Sequence, residues 1–149
     1  FVAGVLASAG AGTEIKLLES EHYACLSCCE LVLSCSGTAT LELSLLQAPM
    51  IAVYRLDPVS HWVARQVSMT PYVAMPNVLM KEMVVPEIMQ YRMDAENFAR
   101  TALGLLDEPE RLQEMRRRLA EIPDHLGQHG AVERAADRII EEARASARP

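Results

Sequence analysis

The sequence predicts an α/β fold in which a parallel sheet is flanked by helices and followed by a helical C-terminal tail. Three observations carry that prediction. Two short apolar runs, Leu31-Val32-Leu33 and Met50-Ile51-Ala52-Val53-Tyr54, have strand length and turn residues at their ends. Between them, residues 39–46 place Leu41, Leu45 and Leu46 on one side of a helix. The charge is segregated: residues 1–93 hold 13 of the 34 Asp, Glu, Lys and Arg, and residues 94–149 hold the other 21. Strand, tight loop, helix and strand make a βαβ unit, for which parallel pairing and a right-handed crossover are expected.

The elements follow in order. Residues 1–5 read as a strand or its stub, and Gly10 and Gly12 mark a loop. Ser20 suits the cap of a short helix over 21–29. After the βαβ unit, residues 59–68 form an amphipathic pattern with Trp62, Val63 and Val67. Pro71 to Ala74 reads as a third short strand, and Asn77 and Pro86 bracket another short helix. Asp94 is the expected N-cap of a helix whose apolar face carries Phe98, Ala102, Leu105 and Leu106. Pro109 suits the first turn of the next helix, which shows Leu112, Met115, Leu119 and Ile122. Gly127 and Gly130 precede the last helix. There Val132, Ala135, Ala136, Ile139, Ile140 and Ala143 form the cleanest helical stripe in the sequence.

Composition excludes several classes. The chain has 149 residues, half of them apolar and 23% charged, which suits one folded domain or part of a larger protein. A net charge of −6 argues against a nucleic-acid module. No apolar run approaches the roughly 18 residues of a membrane span. The chain starts at Phe1 with no recognisable signal peptide. Four cysteines are too few for a disulfide scaffold at this length.

Four patterns invite chemistry. Cys25-x-x-Cys28, beside Cys29 and after His22, has the spacing of half a zinc or redox site, but no second Cys-x-x-Cys or His pair follows. These cysteines are read as small core residues on the buried face of a short helix. Ser36-Gly37 follows a strand, but Ser34 and Thr38 stand where a nucleophile elbow needs glycines, so a serine hydrolase is excluded. Met69 to Met93 hold six of the eight methionines, read as core filling before a pliable groove. Arg116-Arg117-Arg118, flanked by Glu114 and Glu121, reads as a solvated helix face.

Ser36-Gly37-Thr38 is the most informative of the candidates. It joins a strand to a helix at the carboxyl end of the strand, where open α/β sheets bind ligands. Backbone amides at a helix start favour phosphate, and a glycine allows close approach. Ser36 and Thr38 add hydroxyls. Glu42 lies one turn further along on the face of Thr38, where a carboxylate would accept from vicinal ribose hydroxyls. A plain capped βα turn has the same local appearance.

Seven separated blocks then agree in order with a known family. They are Ser36-Gly37-Thr38-Ala39-Thr40-Leu41-Glu42, Ala48-Pro49-Met50, Tyr54-Arg55, Trp62-x-Ala64-Arg65, Pro71-Tyr72, Pro76-Asn77 and Val85-Pro86-Glu87-x-x-Gln90. Together they resemble the C-terminal half of the lipid-A-disaccharide synthase family, over about residues 24–142. The resemblance implies a GT-B glycosyltransferase with two Rossmann-like domains facing a cleft, this chain being the single nucleotide-sugar-binding domain. Residues 1–93 would form its βα core and residues 94–149 its C-terminal helices. The implied reaction is hexosyl transfer: 2,3-diacylglucosamine passes from its UDP derivative to 2,3-diacylglucosamine 1-phosphate (lipid X), giving the β-1,6-linked lipid A disaccharide and UDP. No cofactor or metal is implied, since the UDP-sugar is a substrate. Cytoplasmic location, peripheral contact with the inner membrane, and homodimers that exchange C-terminal segments are implied as well.

Carried over by position, Ser36, Gly37 and Thr38 would cradle the pyrophosphate and Glu42 would hold the ribose. Asn77, Glu87 and Gln90 would line the same cleft, and Tyr54 and Arg55 match the family without an assigned role. The general base would lie in an N-terminal acceptor domain that this chain lacks, so the chain alone is expected to be an inactive fragment. It departs from the family where Cys25, Cys28, Cys29 and Glu30 replace small residues and an Asp. The alternatives are a non-catalytic α/β module that self-associates, and the donor domain of another UDP-sugar GT-B enzyme.

Overall fold

The computed structural model describes residues 16, 18, 22–56, 70–127 and 130–146. The expected strand at 1–5, the Gly10–Gly12 loop, the Ser20 cap and the 59–68 helix with Trp62, Ala64 and Arg65 lie outside the described residues. The elements run α1 (His22–Cys28), β1 (Val32–Cys35), α2 (Thr38–Leu45), β2 (Met50–Tyr54), α3 (Met75–Met80) and β3 (Glu87–Met89). A 3₁₀ turn (Gln90–Arg92) leads into α4 (Ala95–Leu106), α5 (Pro109–Leu119), α6 (Ile122–His125) and α7 (Ala131–Ser146).

The three strands form one parallel sheet in the order β1-β2-β3. Val32 pairs with Met50 and Cys35 with Val53, so β1, α2 and β2 make the expected parallel βαβ unit. Ala52 pairs with Glu87 and Tyr54 with Met89. All three strands therefore end at the same edge, Cys35 level with Val53 and Ile88, and Tyr54 and Met89 one residue further on.

The third strand is not Pro71–Ala74. The sequence there reads as extended, but Pro71 has no amide to give, and the amides of Val73 and Ala74 donate to the Glu87 carboxylate instead of a neighbouring strand. The true third strand has only three residues, Glu-Ile-Met, too short for a periodic signal.

The core is built from β2 and the inner faces of the helices. Met50, Ile51 and Ala52 are buried with Leu43 of α2, Ile88 of β3, Leu105 of α4, Leu112, Met115 and Leu119 of α5, and Ile122. The amide of Met50 donates to the thioether of Met115 at 3.4 Å, binding the start of β2 to α5. Asp94 caps α4 as expected, its Oδ1 accepting from the Asn97 amide at 2.8 Å. Pro109 occupies the first turn of α5, again as the sequence predicts. The methionine stretch is less of a core than expected: Met80 and Met93 pack at its margin, and Met83 is exposed.

Two charged or apolar faces also differ from expectation. Arg116 is no solvated residue: its guanidinium donates to the carbonyls of Gln47 (3.2 Å) and Cys29 (3.1 Å). It thereby ties the segment before β1 and the turn between α2 and β2 to α5. Arg118 pairs with Glu82 and Glu121, and only Arg117, paired with Glu114, behaves as a surface residue. Replacing Arg116 by Ala is expected to cost about 1–2 kcal/mol in urea unfolding, and Lys is not expected to restore it, because an ammonium lacks the planar fork that reaches two carbonyls. The apolar stripe of α7, in turn, is exposed: Val132 by 79% and Ile139 by 69%.

Candidate functional site

The site begins where β1 stops. The amide of Ser36 donates to the Val53 carbonyl at 2.9 Å, so the ladder runs one residue past the strand. Gly37 then turns the chain with φ 144° and ψ −156°, a backbone region that only glycine occupies without strain. A Cβ at Gly37 would meet nothing within 4 Å, so the space above the loop is open. Helix α2 starts at the next residue with no capping side chain, and Thr38 and Ala39 are exposed. Its leading amides and the positive end of its dipole therefore face outward from the carboxyl edge of the sheet.

The candidate side chains divide into two groups. Thr38, Glu42 and Arg55 are exposed, and Tyr54 and Gln90 are half-buried. Because Tyr54 pairs with Met89, Arg55 and Gln90 emerge together, next to the loop that Ser36 opens. Gln90 adopts a left-handed φ of 51° as the first residue of the 3₁₀ turn, a conformation that costs a non-glycine residue energy. Thr38 and Glu42 share the outward face of α2, as their spacing predicts.

The second group points inward. Ser36 donates its hydroxyl proton to the Val73 carbonyl at 2.7 Å, so that proton is committed within the protein. Asn77 is fully enclosed. Its Oδ1 accepts from the amides of Val84 (2.8 Å) and Val85 (2.9 Å), and its Nδ2 donates to the Val85 carbonyl and to Glu87, both at 2.8 Å. Glu87 in turn accepts from the amides of Val73 and Ala74. Asn77 and Glu87 thus lie beneath the loops, holding residues 73–74 and 84–85 in place.

The comparison with known proteins is decisive at this point. A family model described as lipid-A-disaccharide synthetase matches residues 3–141. The chain belongs to the lipid-A-disaccharide synthetase family. Similar relatives include the lipid-A-disaccharide synthases of Pseudomonas savastanoi pv. phaseolicola (strain 1448A / Race 6) and Pseudomonas syringae pv. syringae (strain B728a). Each is 39% identical over 99 residues, covering 66% of this chain and 26% of the relative. The lipid-A-disaccharide synthase of Pseudomonas putida (strain W619) is 37% identical over 109 residues, covering 70% of this chain and 29% of its own length. The chain therefore spans between a quarter and a third of the length of these relatives.

Within this member of the lipid-A-disaccharide synthetase family, two residues matter that their sequence did not reveal. Thr40 is fully buried in the first turn of α2; its hydroxyl donates to the Gly37 carbonyl at 2.7 Å and accepts from the Met75 amide at 3.3 Å. It locks the glycine turn to the start of α3. A threonine three residues after a glycine turn is a usable signal for such a back-bond. Tyr23 of α1 donates its hydroxyl to Glu42 Oε2 at 3.1 Å across 19 positions, which no local pattern announces.

That bond has a pH signature. The hydrogen bond to Glu42, then its negative charge, raises the Tyr23 phenol above its ordinary 10.0. A folded-state value above the unfolded one means that the contact is fully present below pH 10 and is lost as pH climbs through the raised value. Phenolate absorbance of the Glu42→Ala protein is therefore expected to rise at lower pH than that of the parent. Coincident titration curves would exclude the contact.

The cysteines also differ from their reading. Cys28 and Cys35 are exposed, and Cys25 and Cys29 are only half-buried, because α1 has no fully buried position among the described residues. Among the described residues no three His, Cys, Asp or Glu side chains converge on a metal-sized space.

Proposed function

We propose that this chain is the UDP-binding half of a lipid-A-disaccharide synthase. In this reading residues 1–149 form a single donor domain, and an acceptor domain outside this chain supplies the general base. The observation that carries the reading is the uncapped start of α2 behind Gly37, open above and set at the carboxyl edge of a parallel sheet. The backbone amides of Gly37, Thr38 and Ala39 would cradle the pyrophosphate, and Glu42, steadied by Tyr23, would accept from the ribose hydroxyls. Arg55, Tyr54 and Gln90 would face the donor from the neighbouring loops. Ser36, Asn77 and Glu87 would serve from behind by fixing those loops.

The chemistry that follows is stabilisation of a leaving group. When the glucosamine carbon leaves UDP, negative charge gathers on the diphosphate. Amides and a helix dipole already aimed at that point lower the barrier without reorganising. The substrates would be UDP-2,3-diacylglucosamine and 2,3-diacylglucosamine 1-phosphate, with no cofactor. No described helix is long and apolar enough to cross a membrane, and a peripheral location at the cytoplasmic side of the inner membrane is part of the same proposal.

Calorimetry with UDP tests it. Saturable binding is expected, weaker by roughly tenfold for Glu42→Ala, with 2′,3′-dideoxy-UDP unaffected by that substitution. A folded sample that shows no saturable binding to UDP sinks the reading. Donor profiling of a protein that includes the acceptor domain separates the diacylated donor from other UDP-sugars such as UDP-N-acetylglucosamine. A second reading, a self-associating α/β module, is favoured by the exposed stripe of α7. The same stripe would serve the proposed homodimer, and light scattering of a dimer indifferent to UDP would favour the module over the enzyme.

A further inference from the structure

Three of the four cysteines lie in α1 or just past it, and their geometry is unequal. Cys25 and Cys28 are three residues apart in one helix, which sets their Cα atoms about 5 Å apart. That separation lies inside the window a disulfide accepts. Their Cβ atoms, at the ~5–6 Å typical of helical neighbours, must approach to about 4 Å, so the backbone has to yield by an ångström or more. Cys28 is the last residue of the helix, and past it only a single turn closes, from the Cys29 amide to the Leu26 carbonyl at 3.3 Å. The contraction therefore falls on the terminal turn, where helices fray.

The other two thiols differ from this pair. Cys29 directs its sulfur at the Cys25 carbonyl at 3.4 Å, and burial, followed by the neighbouring Cys25, keeps its thiol above the usual range. It is the poorer source of thiolate. Cys35 ends β1 and belongs to a different element. Cys28 is exposed, with the Ser27 hydroxyl 4.0 Å from its sulfur.

We propose that Cys25 and Cys28 are a thiol–disulfide couple that reacts with small-molecule disulfides. The Cys28 thiolate attacks one sulfur of the disulfide, forming a mixed disulfide and expelling one thiolate. The Cys25 thiolate then attacks Cys28 Sγ, closing the intrahelical bond and expelling the second thiolate. Two cysteine thiols are oxidised, one external disulfide is reduced to two thiols, and the two protons pass through water to the departing thiolates. Closing the couple tightens the final turn of the helix that carries Tyr23, the donor to Glu42.

The test treats the whole chain with oxidised glutathione and reads it by differential alkylation and tandem mass spectrometry, with circular dichroism to show that the fold persists. The expected result is an internal Cys25–Cys28 link, with two alkylatable thiols lost from α1 and regained with dithiothreitol. Cys28→Ser should abolish the link, and Cys35→Ser should leave it intact. A disulfide between any other pair, linkage only between molecules, or glutathione left on Cys28 without ring closure would overturn the proposal.

Discussion

Asn77→Ala is expected to lower stability by about 3–5 kcal/mol, the largest effect expected of a polar substitution among the described residues. The side chain is wholly enclosed and makes four hydrogen bonds with the amides of Val84 and Val85, the Val85 carbonyl and Glu87. Truncation leaves the amide and the carbonyl of fully buried Val85 without this partner, and leaves the Val84 amide with the Glu82 carbonyl at 3.1 Å as its remaining acceptor. It also frees Glu87, which holds the Val73 and Ala74 amides. For a chain of this size that loss corresponds to a fall in melting temperature of about 10 °C. Asn77→Asp is expected to be as harmful, since it keeps the acceptor for Val84 and Val85 but sets a second carboxylate against Glu87. A melting curve within about 1 kcal/mol of the parent for Asn77→Ala would show that the network contributes little.

Gly37→Ala acts at the opposite side of the same assembly and by a different cause. Nothing lies within 4 Å of the added methyl, so no clash follows. The cost is the backbone itself: φ 144° with ψ −156° is a region nearly closed to alanine, worth about 1–3 kcal/mol of strain. Two outcomes share that strain. If the native turn persists, the protein is less stable by that amount. If the turn relaxes, the leading amides of α2 swing away and UDP affinity falls by tenfold or more. Either way the alanine protein differs from the parent, and paired thermal melts and UDP titrations measure the division. An alanine protein with parental stability and parental affinity would remove Gly37 from the site. At low temperature, where Asn77→Ala remains folded, its UDP affinity is expected to fall less than that of Gly37→Ala.

Both substitutions show which parts of the molecule were legible in the sequence. The βαβ unit was readable because β1 and β2 are apolar runs with clear turn residues and α2 has its leucines at helical spacing. The Asp94 cap and Pro109 start were readable because capping is local chemistry. β3 escaped because its three residues carry no period, and its position is set by pairing with β2. The Ser36-Gly37-Thr38 loop and Glu42 were visible as a pattern. What the pattern did not contain was direction. Asn77 and Glu87 look like any polar pair in a family motif, and only tertiary structure shows that their hydrogen bonds are spent on the backbone. Tyr23 and Arg116 were invisible for a related reason: each reaches a partner brought near by folding, Glu42 for one and the carbonyls of Cys29 and Gln47 for the other. The exposed stripe of α7 is the converse case, a strong periodic signal whose apolar residues stay largely exposed.

The separation between inward and outward polar residues has an evolutionary consequence. Thr40, Asn77 and Glu87 keep the loops in register from below, whereas Thr38, Glu42 and Arg55 stand above them without sharing in the core. Surface substitutions of that second kind are usually close to neutral for stability. If those three positions meet a donor, as proposed, substitutions there would change its contacts without first losing the fold. Under the proposed reading, the contacts made to a donor would be retuned at these positions while the inward residues hold the scaffold unchanged.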